Sequence, residues 1–146
     1  MSAAYRQRHI IWCMWGVMAR ALIIFEGQNR HPWSRLLRRG YRHVWCAVED
    51  QRAHSWVGFN LTLTGLETAV LAPADYDLER WARQICGATE VVSTQTTSLS
   101  FNTPVLWNCV TLTKAIVGIR SSAITPWGLF RHLTREPAGE PICTGL

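Results

Sequence analysis

Apolar and polar positions fall into blocks along this chain, and the period changes from block to block. The first block is Ile10-Ile11-Trp12-Cys13-Met14-Trp15-Gly16-Val17-Met18-Ala19, interrupted by Arg20 and resumed as Ala21-Leu22-Ile23-Ile24-Phe25. Apolar on nearly every side, residues 10–26 predict a helix that is buried or covered by a partner. A loop at 27–32 precedes a short basic helix over 33–39, stopped by Gly40. Residues 41–48 and 55–61 are rich in aromatic and β-branched side chains and predict strands. The polar stretch 49–54 between them makes a hairpin. A third, short strand is expected over 66–71. After the break at Pro73-Ala74, residues 75–86 predict a helix with Asp75 near its start and Gly87 at its end. Another strand follows at 88–96, then a loop or edge segment over 98–104. An apolar helix runs from Cys109 to Gly118, and Thr125-Pro126 opens a short helix to Leu133. Residues 134–146 read as a loose tail. The order of helices, strand cluster and helices predicts an α+β fold with a mainly antiparallel sheet.

The candidate chemistry centres on Cys109. The chain Leu106-Trp107-Asn108-Cys109-Val110 places it where a polar loop turns into the apolar helix. Backbone N–H groups at a helix start are unpaired and carry partial positive charge, which stabilises a thiolate. His43 heads the first hairpin strand. If the turn centres near Gln51 and Arg52, Asn60 lies directly opposite His43, with side chains on one face about 5 Å apart. The asparagine carbonyl then fixes the imidazole tautomer and aims the other nitrogen at a thiol. A one-residue slip in register would undo this pairing. His54 is a second candidate orienter, placed in the expected turn. The plainer readings are a small buried cysteine, a half-buried strand histidine and a strand-end asparagine, the last also part of the sequon Asn60-Leu61-Thr62.

At 146 residues the chain makes one domain, and 48% hydrophobic against 17% charged residues excludes a disordered body. The net charge of +5 is carried almost wholly by arginine, Lys114 being the sole lysine. Arg35, Arg38, Arg39 and Arg42 form either a solvated face or a phosphate-binding patch; DNA contact is the weaker expectation, since no nucleic-acid motif accompanies them. The five cysteines, Cys13, Cys46, Cys86, Cys109 and Cys143, show no CxxC pair and no zinc spacing with histidine. No metal and no cofactor are therefore expected, and reduced thiols fit a cytosolic or virion setting. Eight tryptophans supply candidate interface anchors. Arg6 and Arg8 ahead of the first apolar block resemble a signal segment, but the block is short and broken by Arg20. Met14 and Met18 leave open a start-site extension.

The segment Asn108-Cys109-Val110 opening a helix, with a strand-borne histidine far upstream, resembles the circularly permuted papain-like, NlpC-type cysteine peptidases. The chain also resembles small proteins of tailed bacteriophages over residues 31–133. Tyr41-Arg42-His43-Val44, Ser55-Trp56-Val57-Gly58-Phe59-Asn60, Asn108 to Lys114, Val117-Gly118-Ile119 and Ile124-Thr125-Pro126-Trp127 carry that likeness. The resemblance implies a papain-like domain at 31–133 with Cys109 as nucleophile, His43 as base and Asn60 as third member. It leaves 1–30 as an added apolar helix and linker, and 134–146 as a flexible tail. It further implies a virion protein of the tail or neck, part of an oligomeric assembly. Such a protein would meet other virion proteins through the N-terminal helix and exposed tryptophans, and would act on peptidoglycan peptides. The alternative is a structural docking module on the same fold with little or no catalysis.

Overall fold

The computed structural model describes residues 19–28, 32–96 and 108–135. Five strands, β1 (Arg20–Glu26), β2 (His43–Asp50), β3 (Ser55–Thr62), β4 (Gly65–Pro73) and β5 (Ala88–Gln95), form one antiparallel sheet in the order β4-β3-β2-β1-β5. Three helices accompany it: α1 (Leu78–Gln84), α2 (Cys109–Val117) and α3 (Pro126–Arg135). A 3-10 turn covers Pro32–Leu36. The expected α+β class and antiparallel sheet are therefore present, with the cysteine at the first residue of α2.

The helix expected over 10–26 is not formed across residues 20–26, which are instead the inner strand β1. The remainder of that expectation, residues 10–18, lies outside the described residues. The physical reason is burial on both sides. Leu22 and Ile24 join Trp45, Ala47, Trp56 and Val91 under Leu78 and Ala82 of α1. Ala21, Ile23 and Phe25 join Val44 and Cys46 under Val110, Leu112, Ile116 and Val117 of α2 and Leu129 of α3. A strand covered on both faces loses the apolar–polar alternation that marks a half-buried one, and a short apolar run then reads like a buried helix. The expected domain limit at residue 31 consequently cuts through the sheet. The proposed tail at 134–146 begins inside α3, which runs to Arg135; residues 136–146 lie outside the described residues.

Local chemistry sets the other boundaries. Asp77, rather than Asp75, caps α1, its Oδ1 accepting from Arg80 N at 3.0 Å, so that the helix starts at Leu78. The basic helix expected over 33–39 is reduced to the 3-10 turn. Gly118, left-handed at φ 82°, ends α2, as a glycine there does without a Cβ penalty. Phe25, Tyr41, Trp127 and Phe130 pack as a connected aromatic group with ring centroids 4.8–5.9 Å apart, fastening α3 beside the start of β2.

Ile23 is fully buried in the strand that both layers share. Ile23→Ala should cost about 2–5 kcal/mol, read from the urea midpoint of the full chain. A separate docking segment would tolerate that change with little loss.

Candidate active site

The start of α2 is built by a reciprocal cap. Asn108 Oδ1 accepts from Thr111 N at 2.8 Å, while Thr111 Oγ1 accepts from Asn108 N at 2.9 Å. This capping box closes two backbone donors and fixes the angle at which the chain enters the helix. Cys109 is the next residue, half-buried, with a free thiol. In the first turn of an α-helix the N–H of a residue such as Cys109 has no intrahelical acceptor.

His43 is the first residue of β2 and is only 9% exposed. Its Nε2 lies 2.6 Å from Asn60 Oδ1. An amide oxygen only accepts, so Nε2 is the protonated nitrogen and Nδ1 carries the lone pair of the neutral ring. The Cys109 thiol is close enough to act on the same ring by hydrogen bonding and by charge. The three residues singled out in the sequence are thus brought together. What resulted differs in register from what was expected: Cys46 pairs with Phe59 and Asp50 with Ser55, so Asn60 is two residues away from the position opposite His43. The turn is the cause. Asp50 Oδ1 accepts from Arg52 N at 2.9 Å and Ala53 N at 3.2 Å, and His54 is left-handed at φ 48°, which gives a four-residue turn over 51–54. A shift of two preserves the face, and a diagonal neighbour remains within reach of a long side chain. His54 is exposed in that turn and is not among the groups that act on His43.

Opposed influences set the charge of His43. Burial, the largest, pulls the imidazole pKa down. Hydrogen bonds with Cys109 and Asn60, then the charges of Cys109 and Glu26, outweigh it, leaving the pKa above the ordinary 6.5. The other cysteines differ. Cys46 is fully buried and its thiol is pushed up to about 12 by burial, against a lesser opposing hydrogen bond from Thr113. Cys86 is exposed, and partial burial followed by the charge of Glu26 raises its pKa.

The surrounding residues divide clearly. Arg38 stacks on the Trp127 ring, 3.7 Å from its centroid, while Arg35 and Arg39 are exposed on the surface. Among the described tryptophans Trp33 is 70% exposed, whereas Trp45 and Trp56 are core residues. Trp107 lies outside the described residues. Two residues had no assigned part in the sequence reading. Lys114 Nζ donates to Ser121 O and Ala123 O, both at 2.8 Å, tying the segment after α2 back onto the helix. Glu26 faces His43 across the β1–β2 ladder. Its only sequence signal is a lone acid ending an apolar run. Among the described residues no group of three or more His, Cys, Asp or Glu could hold a metal ion, and no helix is long and apolar enough to cross a membrane.

Compared with protein-family models, curated proteins and solved structures, the chain matches none.

A raised pKa means that the folded chain binds the His43 proton more tightly than the unfolded one. Its stabilising contribution is fully present below the ordinary 6.5 and is lost as the pH rises through the folded value. Urea midpoints of the wild type and His43→Gln should therefore converge as the pH climbs from acid to mildly alkaline. Asn108→Ala, which removes the side-chain half of the cap, should cost about 0.5–2 kcal/mol in the same assay at any of these pH values.

Proposed function

We propose that this chain is a papain-like cysteine hydrolase of a tailed-phage particle, tail- or neck-associated, that cleaves an amide of the peptidoglycan stem-peptide class. One observation carries the reading: a single buried imidazole is held by Asn60 through Nε2 at 2.6 Å while the thiol at the start of α2 acts on the same ring. The substrate class and the particle come from the resemblance of residues 31–133, and the chemistry comes from the residues themselves.

In this reading the Cys109 proton passes to His43 Nδ1 and the thiolate attacks the amide carbonyl carbon. The tetrahedral oxyanion is met by the Cys109 backbone N–H at the helix start. His43 returns the proton to the departing amine as the C–N bond breaks, leaving a thioester. Water then attacks that thioester, with His43 taking its proton and giving it back to the Cys109 sulfur as the acid product leaves. Asn60 supplies no charge to any step. It holds the ring so that Nδ1 stays available.

A second reading, a docking module on the same fold, draws on the large apolar side chains left in solvent. Leu36 is 81% exposed, Val70 72% and Ile124 73%. On a monomer, scattered single residues of this kind are ordinary, which leaves this the lesser reading.

Thiol labelling separates the two. Chloroacetamide at neutral pH should alkylate Cys109 at least roughly tenfold faster than the exposed Cys86, and Cys46 only after denaturation. His43→Ala should bring Cys109 down to the rate of Cys86. Cys109→Ala should abolish release of peptides from peptidoglycan fragments while leaving the urea midpoint nearly unchanged. Equal labelling of Cys109 and Cys86 in the wild type would remove the hydrolase reading and leave the docking module.

A further inference from the structure

We propose that Glu26 is a positioning residue acting through His43, so that the site is a constellation of Cys109, His43, Asn60 and a carboxylate held in place by the Trp45 indole. The inference rests on reading Cys109 and His43 as a working thiol–imidazole pair.

The geometry comes from the sheet. Glu26 ends β1 and His43 begins β2, and the two are direct partners in the antiparallel register. Direct partners present their side chains on one face, about 5 Å apart at Cβ. Trp45, two residues along β2 and so on that same face, is 8% exposed, and its Nε1 donates to Glu26 Oε1 at 2.7 Å. The Cys86 thiol, from the connection between α1 and β5, donates to the same oxygen at 3.7 Å. The carboxylate is thereby held on the α1 face of the sheet, at the strand end where His43 begins β2, while α2 with Cys109 covers the opposite face. Continuity of the backbone reinforces this, since Arg42 N donates to Glu26 O at 2.9 Å immediately before His43.

Glu26 adds a carboxylate charge to the hydrogen bonds with Cys109 and Asn60 and the charge of Cys109, which favour the charged ring more strongly. From α2 the ring meets Cys109, from β3 the neutral Asn60 and from β1 Glu26. Asn60 orients the imidazole but lends it no charge. Burial taken alone opposes protonation of the ring, and thiol-to-imidazole proton transfer requires it to become a cation. The negative charge of Glu26 acts in the opposite sense and favours the imidazolium. It biases the pair from thiol and neutral ring towards thiolate and imidazolium, with one proton moved from Cys109 Sγ to His43 Nδ1 and none gained or lost overall.

A purely structural role is the alternative, because an acceptor for the Trp45 indole is needed in either case. Glu26→Gln distinguishes them: the amide oxygen can still accept from Nε1, but the charge is gone. The experiment follows the His43 ring signal by NMR titration of the full chain. The midpoint should fall in Glu26→Gln and stay at the wild-type value in Asp75→Asn, which removes a carboxylate from the turn before α1. Alkylation of Cys109 at neutral pH should slow by roughly three- to tenfold in Glu26→Gln, with Cys86 compared within the same sample. Trp45→Phe keeps the carboxylate and releases it, and should move the midpoint in the same direction. It serves where Glu26→Gln does not fold. An unchanged His43 midpoint in the folded variant overturns the proposal. If wild-type Cys109 shows no special reactivity, the hydrolase reading fails, and the titration still decides whether Glu26 acts on His43.

Discussion

Burial of β1 on both faces is the constraint from which the remaining arrangement follows. Its residues Ala21 to Phe25 are 0–4% exposed, and the strand as a whole cannot reach that state with helices on one side only, since alternate residues face opposite layers. Each large apolar side chain removed from water contributes about 1.5–3 kcal/mol, and a helix cap about 1 kcal/mol. Packing therefore decides where α2 lies, and the cap refines its start. Val110, Leu112, Ile116 and Val117 seat α2 over Val44 and Cys46 of β2. With the helix held along that strand, its first turn comes to the end of the sheet where β2 begins with His43. The pairing of thiol and imidazole is thus a consequence of how the core closes, together with Asn108 setting the angle of approach.

At the site itself, two demands compete. The imidazole must be dry enough for its bonds to Asn60 and Cys109 to be strong, yet dryness disfavours its charged form. Burial is the largest single influence on His43, and it is exceeded only by the sum of several favourable ones. A ring so balanced is sensitive to each neighbour. Removing any one would shift the proton distribution of the pair.

Much of this was legible in the chain. The hairpin strands, the α2 start at Cys109, its stop at Gly118 and the Thr125-Pro126 helix start all carry local chemistry that acts over a few residues, namely alternation, caps and left-handed glycine. Cys109 stands out by its helix start and His43 with Asn60 by the hairpin, whereas the joining of the two rests on the resemblance to papain-like peptidases. Residues 20–26 were misread because their secondary structure is decided by what lies above and below them, which no local pattern records. The hairpin register was misjudged by two because the side chain of Asp50 and the left-handed His54 reshape the turn. That error left the site intact. A strand repeats its faces every second residue, so a shift of two moves a partner along the strand without turning it away. Glu26 escaped notice because its importance depends on a partner in another strand, His43, and on an anchor, Trp45, that becomes its neighbour only when the sheet forms.

The three described cysteines show how far position outweighs residue type. Cys46 points into the core between the sheet and α2, where a thiolate would lack both water and a cation, and its pKa climbs to about 12. Cys86 reaches solvent but sits against the Glu26 carboxylate, so that its neighbouring charge opposes ionisation. Cys109 alone combines a helix start, partial exposure and an adjacent imidazole. The same carboxylate thus opposes a thiolate at Cys86 and favours the charged form of His43.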